Sequence, residues 1–254
     1  MNRLLFEKRG DAVWISHLDL MRVFQRAFRR AGELLKHTGG FNQHAYVSLA
    51  LPLSVGTESG CEILDFELEA YGNDLKDRLN QVLPAGIRVL EVYESDKKLK
   101  ELTHLHAKVY LEYDAGIPEG AEAGLTELFS RESLVIEKKT KRGFADIDLI
   151  PMIKRLDITR LDNHTLELDA VVCAQNPSLN PNQLPAAIAV HTPHLNPDFV
   201  KYERVEVLMP NGNPFRCGAH KRIKSRGCGA SLPRPSPYGV LPSHERRRQQ
   251  SPTR

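Results

Sequence analysis

The amino-acid sequence predicts an α+β fold of two tandem βαββαβ units followed by a disordered C-terminal tail. Two observations favour the folded part: the spacing of apolar residues gives a similar order of strands and helices twice, and 41% hydrophobic with 26% charged residues is ordinary for a globular chain. A third observation, a sharp change in charge near the end of the chain, favours the separate tail. We place the boundaries at residues 1–100, 104–210 and 211–254.

The first predicted unit has strands at residues 3–7, 46–50, 62–68 and 89–92, and helices at 16–31 and 74–82, with residues 13–15 extended. The helix from residue 16 is the strongest signal. Ser16 is a natural N-cap, Asp19 lies three residues on, and Gly32 follows the last turn. Leu20, Phe24 and their neighbours one turn apart share one face. This order of elements is the ferredoxin-like one.

The second predicted unit repeats a similar order with less regular spacing. Strands are predicted at residues 106–113, 134–138, 165–172 and 202–208, an additional short strand at 144–152, and helices at 122–130 and 183–190. We therefore expect a second α+β unit of similar size.

The last predicted segment is strongly basic. From Asn211 to Arg254 the chain has ten Lys and Arg residues and one acid, which leaves residues 1–210 with a net charge of −6. Such a segment, rich in Pro and Gly, buries too little apolar surface to fold. A basic tail is typical of nucleic-acid contact, a solvated extension is the alternative, and a frame change near Asn211–Cys217 would also explain the shift.

Several classes of protein are excluded by what the sequence lacks. It has no apolar run long enough for a membrane span and no apolar signal core at its start. Four scattered cysteines indicate a reducing compartment, so we expect a cytoplasmic protein. No phosphate-binding glycine loop, dinucleotide fingerprint or Cys-x-x-x-Cys-x-x-Cys run occurs. Cys217, His220 and Cys228 are one ligand short of a zinc site, so we expect no metal and no cofactor in this chain.

The predicted helix from residue 16 has an almost purely basic face, which we call the arginine face: Arg22, Arg26, Arg29 and Arg30. Guanidinium groups one turn apart can contact successive phosphates. The alternative is a solvated surface whose arginines pair with nearby acids, among which Glu33 is the one acid on the same face.

Three other side chains are candidate acid–base groups: His17, Asp19 and His44. If the loop after the helix folds back, they could form a proton-transfer cluster or ligate a metal. The structural interpretation, which we favour, is that Asp19 caps the helix and His17 is buried and hydrogen-bonded.

The loop itself contributes Gly40, Phe41 and Asn42 as candidate contacts to an anion or a nucleic acid. Glycine allows close approach of the backbone, Phe41 can stack on a base or anchor the core, and Asn42 can bind a ligand or form an Asx-turn.

The stretches FEKRGDAVWISHLDLMRVFQRAFRRAG and GFNQHAYVSLALPLSVGTESGCEILDFEL resemble the bacterial radical-SAM-linked proteins. The resemblance is dense over residues 1–70 and thin to about 208. It implies a radical SAM partner that carries an iron–sulfur cluster and S-adenosylmethionine, and a context of RNA or ribosome biology. The family has no established activity. Gln43 and Ala45 stand where the family has prolines, which leaves this loop less rigid.

These observations favour an accessory module, more a binding protein than an enzyme, that binds RNA or presents it to a radical SAM protein through the arginine face. Two alternatives remain. One is a metal-independent ribonuclease or RNA-modifying enzyme that uses His17 or His44 as its general base. The other is a protein adaptor whose arginines dock on an acidic patch of the partner.

Overall fold

The protein is described by a computed structural model over residues 1–216, apart from residues 40, 42, 69, 141 and 142. Within this part the chain is a mixed α/β structure with a core that is mostly sheet, and it contains ten strands and four α-helices.

The first half carries four strands and two helices. Their bounds are β1 Asn2–Lys8, α1 His17–Arg30, β2 Val47–Leu49, β3 Thr57–Phe66, α2 Leu75–Val82 and β4 Ile87–Glu94.

The second half carries six strands and two helices. Their bounds are β5 His104–Glu112, α3 Ala121–Phe129, β6 Val135–Thr140, β7 Gly143–Asp148, β8 Ile153–Arg160, β9 Thr165–Cys173, α4 Gln183–His191 and β10 Phe199–Leu208.

Eight of these strands form one continuous sheet in the order β4-β1-β3-β10-β5-β9-β8, with β2 paired to the far end of β3. Pairing is antiparallel except between β10 and β3, where Tyr202 lies opposite Thr57 in a parallel register. Strands β6 and β7 form a separate hairpin. The two predicted halves therefore share a sheet, and their description as two ferredoxin-like units stays a prediction.

Helix α1 packs its apolar side against the first half of this sheet. Ser16 accepts a hydrogen bond from the Asp19 amide at 3.2 Å, which is the N-cap that the sequence predicts. Phe24 contacts Phe6 edge-on with ring centroids 4.7 Å apart, and Phe28 lies 5.0 Å from Phe66. Burial of this side leaves the opposite side of α1, with its arginines, toward solvent.

Two local predictions are wrong. The segment predicted as one strand at 144–152 contains β7 and then a short 3₁₀ helix, Ile150–Met152. The strand that follows, β8, was not predicted, because its many exposed charged side chains obscure the alternation of apolar and polar residues. The predicted extended segment 13–15 contains the end of a 3₁₀ helix, Gly10–Trp14, because Lys8 binds the carbonyls around it.

The fold extends six residues into the segment that the sequence places in the tail. Phe215 is buried, its amide donates to the Val207 carbonyl at 2.8 Å, and the Arg3 guanidinium lies 5.1 Å from its ring centroid. Arg216 pairs with Glu206 at 2.7 Å. The remainder of the predicted tail, residues 217–254, lies outside the described residues. Among the described residues, no helix is both long enough and apolar enough to cross a bilayer.

Candidate nucleic-acid interface

The arginine face lies on the solvent side of α1. Arg22, Arg26, Arg29 and Arg30 are all exposed. Arg29 and Arg30 lie in the last turn, where cations stabilise the negative end of the helix dipole. Arg22 and Arg26 lie outside that turn, so helix capping alone does not account for the whole face.

The arginines differ in how they are paired. Arg22 donates to the Asp19 carboxylate at 2.9 Å. Within the described residues, Arg26, Arg29 and Arg30 take part in no ion pair or side-chain hydrogen bond. Direct pairing with a local acid, the alternative that the sequence left open, is therefore seen for Arg22 and not for the other three.

Glu33, the one acid on this face, is taken by an arginine from another helix. Arg78 of α2 pairs with Glu33, donates to the Ala31 carbonyl at 2.5 Å and pairs with Asp74 at 2.9 Å. The hydrogen bond with Glu33 is the main cause that raises the pKa of Arg78. Arg78 thus occupies Glu33, while Arg26 has a longer-range electrostatic attraction to the Asp19 carboxylate, which helps to lower the pKa of Asp19.

Beside this face lies a cleft of about 260 Å³, lined by Gln25, Arg26, Arg29, Glu33, Leu34, Leu35, His37 and Ala45. Its far wall is a hairpin of residues 36–46, closed by a bond from the Tyr46 amide to the Lys36 carbonyl at 2.8 Å. Gln25 donates to the Ala45 carbonyl at 2.9 Å and so fixes the hairpin against α1. The segment that carries His44 is thus held beside α1.

Of the three predicted loop residues, the structure describes Phe41. Phe41 is fully exposed, so its interpretation as a core anchor is wrong and its ring is free to stack. Gly40 and Asn42 lie outside the described residues. His44 is exposed, and its ring Nδ1 lies 3.2 Å from the Thr38 hydroxyl oxygen.

The three acid–base candidates are used in different ways. Asp19 accepts from the Ser16 hydroxyl at 2.8 Å and from Arg22, and these two bonds lower the pKa of its carboxyl. A carboxylate held in this way is a cap and a weak base. His17 Nδ1 is buried without a hydrogen-bond partner among the described residues, contrary to the expected hydrogen-bonded histidine. Among all the residues that the structure describes, no three His, Cys, Asp or Glu side chains lie close enough together to hold a metal ion.

A second polar surface, which the sequence analysis did not single out, lies on the strands of the second half. His106 and Arg155 both contact Asp169, at 2.9 and 2.6 Å, and Lys108 binds both oxygens of Glu167 at 3.0 Å. The bond with Glu167 raises the pKa of Lys108. Here Lys108 and Arg155 each pair with an acid on the neighbouring strand, and His106 contacts the same Asp169, so the surface differs from the arginine face.

Comparisons with known proteins give a family and little else. A crystal structure of a Cbf5-Nop10-Gar1 complex is similar with a TM-score of 0.45 and 8% identity, over 81% of this chain and 48% of the matched chain. This chain thus spans about half of the protein it matches. A crystal structure of an unknown protein from Galdieria sulphuraria gives 0.22 and 11%, over 80% and 97%. Both TM-scores are below 0.5, so neither likeness supports an argument about fold or function.

No curated protein matches the chain. A family described as an uncharacterised protein conserved in bacteria, DUF2344, matches residues 2–181, which is well over half of the sequence. The chain therefore belongs to the DUF2344 family of uncharacterised bacterial proteins.

Proposed function

We propose that this protein is an accessory module that binds RNA through the arginine face of α1, and that it serves a radical SAM protein. The observation that carries the RNA-binding part is the set of three exposed arginines without an internal partner, next to a cleft and a loop with an exposed phenylalanine. Arginine is well suited to phosphate because its planar fork of donors matches phosphate oxygens.

The charge of the surroundings supports a polyanion as the ligand. Residues 1–210 are net acidic, yet Arg26, Arg29 and Arg30 form no ion pair among the described residues, and Glu33, which lines the same cleft, is held by Arg78. The radical SAM partner, with its iron–sulfur cluster and S-adenosylmethionine, is proposed from the sequence resemblance alone.

We further infer that each half is a ferredoxin-like unit. The order β4-β1-β3-β2 in the first half and β10-β5-β9-β8 in the second, antiparallel throughout each half, supports this inference. Such units host many functions, so the fold adds no weight to the choice of ligand.

The test is an RNA-binding titration of the full chain by fluorescence anisotropy at several salt concentrations. The double variant Arg26→Ala/Arg30→Ala removes two unpaired arginines. For a single strand, the slope of log affinity against log salt should become less steep by about 1.4, and the weakening should be similar for different RNA sequences.

The matched control is Arg88→Ala/Arg131→Ala, which removes the same charge from two exposed positions elsewhere. The control should change affinity much less. Equal affinity of wild type and the double variant at low salt would contradict RNA binding by this face. Recovery of a partner protein free of nucleic acid would instead favour the adaptor alternative.

A further inference from the structure

The single tryptophan of the chain is unusually exposed. Trp14 is 70% exposed. Leu18, four positions later, is 64% exposed, and Val55, which precedes the Gly56 that binds the Val13 carbonyl, is 53% exposed. Tryptophan is large and is mostly buried on average, and an exposed one flanked by apolar residues is typical of a contact surface.

The backbone that carries Trp14 is held by a buried charge. Lys8 is 1% exposed, and its ammonium donates to the Val13 carbonyl at 3.0 Å and to the Ile15 carbonyl at 2.9 Å, one on each side of Trp14. Burial lowers the pKa of Lys8, which shows that this cation loses favourable hydration where it lies. The chain thus places a desolvated lysine where it fixes the position of an exposed ring.

The ring itself rests against a glycine. The Gly56 amide donates to the Val13 carbonyl at 2.9 Å, and a Cβ added at Gly56 would lie 3.5 Å from ring carbon Cζ3 of Trp14. Gly56 has φ +82°, a conformation that other residues rarely adopt. Part of the ring is therefore supported by backbone, and most of its surface is open to solvent.

Trp14 is close to the arginine face. Leu18 lies four positions after Trp14, so their Cα atoms are within about 14 Å of each other. Leu18, Arg22 and Arg26 then follow at intervals of four residues on one side of α1, where such neighbours are about 6 Å apart. An exposed aromatic ring therefore precedes, by a short stretch of chain, a helix side that carries an exposed leucine and a row of cations.

We propose that Trp14 is a base-stacking platform and that the interface takes single-stranded RNA in preference to duplex RNA. The inference rests on the proposed RNA binding by the arginine face and specifies its substrate class. An unpaired base can place its flat side on an aromatic ring while the arginines hold the backbone. In a duplex the flat sides of the bases are stacked within the helix, so only the phosphate contacts remain.

The experiment uses the fluorescence of the full chain, which reports on Trp14 alone because no other tryptophan is present. Titration with single-stranded oligoadenylate RNA should quench this fluorescence, and duplex RNA of equal length should not. RNA held elsewhere on the chain would leave the fluorescence unchanged.

Anisotropy titrations with the same two RNAs test the energetic contribution. Trp14→Ala should weaken single-strand binding roughly fivefold or more and leave duplex binding nearly unchanged. Trp14→Phe, which keeps an aromatic ring, should restore most of the loss. Phe199→Ala is the matched control, since it removes an equally exposed aromatic ring from the second half.

The outcomes separate the two proposals. Single-strand binding that depends on Arg26 and Arg30 but neither quenches Trp14 nor weakens in Trp14→Ala overturns the platform and leaves RNA binding intact. Equal affinity for the two RNAs overturns the preference. Absence of binding to either RNA overturns both proposals, and circular dichroism of each variant shows whether the fold is retained.

Discussion

Replacement of Asp19 by Asn is the variant that most sharply separates a binding face from a catalytic site. Asp19 lies at the N-terminal end of the arginine face and holds Arg22 at 2.9 Å, so it competes with any phosphate for that guanidinium. Asp19→Asn removes the negative charge and keeps the backbone amide that donates to Ser16. We expect it to release Arg22 and to strengthen RNA binding.

The size of the effect follows from the pairing. Three unpaired arginines, each on one phosphate of a single strand, contribute about 2.1 to the slope of log affinity against log salt, and a fourth raises this to about 2.8. One exposed ion pair released in this way corresponds to an affinity gain of roughly two- to fivefold at low salt.

The assay is an anisotropy titration at several salt concentrations, with Asp77→Asn as the control. Asp77 is also exposed in the first turn of a helix, α2, so its replacement changes the charge equally without touching the arginine face. Weaker binding by Asp19→Asn would refute the reasoning and indicate that this carboxylate contacts the RNA or takes part in chemistry. A change equal to that of the control would show that Arg22 does not reach the RNA.

Three further results are expected. Phe215→Ala should lower the free energy of unfolding by about 3–5 kcal/mol in urea denaturation, because the ring is buried under Arg3; a loss below about 1 kcal/mol would place residues 211–216 outside the cooperative fold. Burial lowers the pKa of Lys8, so between that pKa and about 10.4 the unfolded chain binds more protons than the folded one, and the free energy of unfolding should rise with pH. Lys8→Met should remove this rise. Equal slopes of unfolding free energy against pH in the wild type and the variant would contradict the prediction. Total RNA incubated with the protein and EDTA should stay intact, whereas cleavage lost in His17→Ala or His44→Ala would favour the ribonuclease alternative.

The parts of the fold that sequence predicts well are those with local signals. Helix α1 has a capping residue, a regular apolar spacing and a terminal glycine, and its bounds and buried side agree with the prediction. Strand β8 was not predicted from the sequence because it lies at the sheet edge with most of its side chains exposed, so the alternation of apolar and polar residues is weak. The parallel contact of β3 with β10 joins residues such as Thr57 and Tyr202, far apart in the sequence, and no local pattern specifies it.

The same division applies to the candidate site. The arginine face and the exposed loop follow from spacing within a few residues. Which arginines remain unpaired does not, because Glu33 is occupied by Arg78 from a helix 45 positions away. The exposure of Trp14 does not follow from the sequence either, because a lone tryptophan in an apolar stretch is ordinarily expected in the core. Nor does the burial of Lys8, which binds the carbonyls on either side of Trp14, because a lysine at the end of a strand is ordinarily expected at the surface.

The first half of the protein contains both buried cations with internal partners and exposed arginines without an ion pair among the described residues. Two basic side chains of the first half are committed to internal partners: Arg3 donates to both oxygens of Asp65 at 2.5 and 3.0 Å, and Lys8 holds two carbonyls. Arg78 pairs with Glu33 beside the arginine face, and Lys8 holds the two carbonyls that flank Trp14. Three arginines of α1 thus have no ion-pair partner among the described residues while the Trp14 ring is exposed, and a polyanion with unstacked bases is the ligand class whose chemistry uses both.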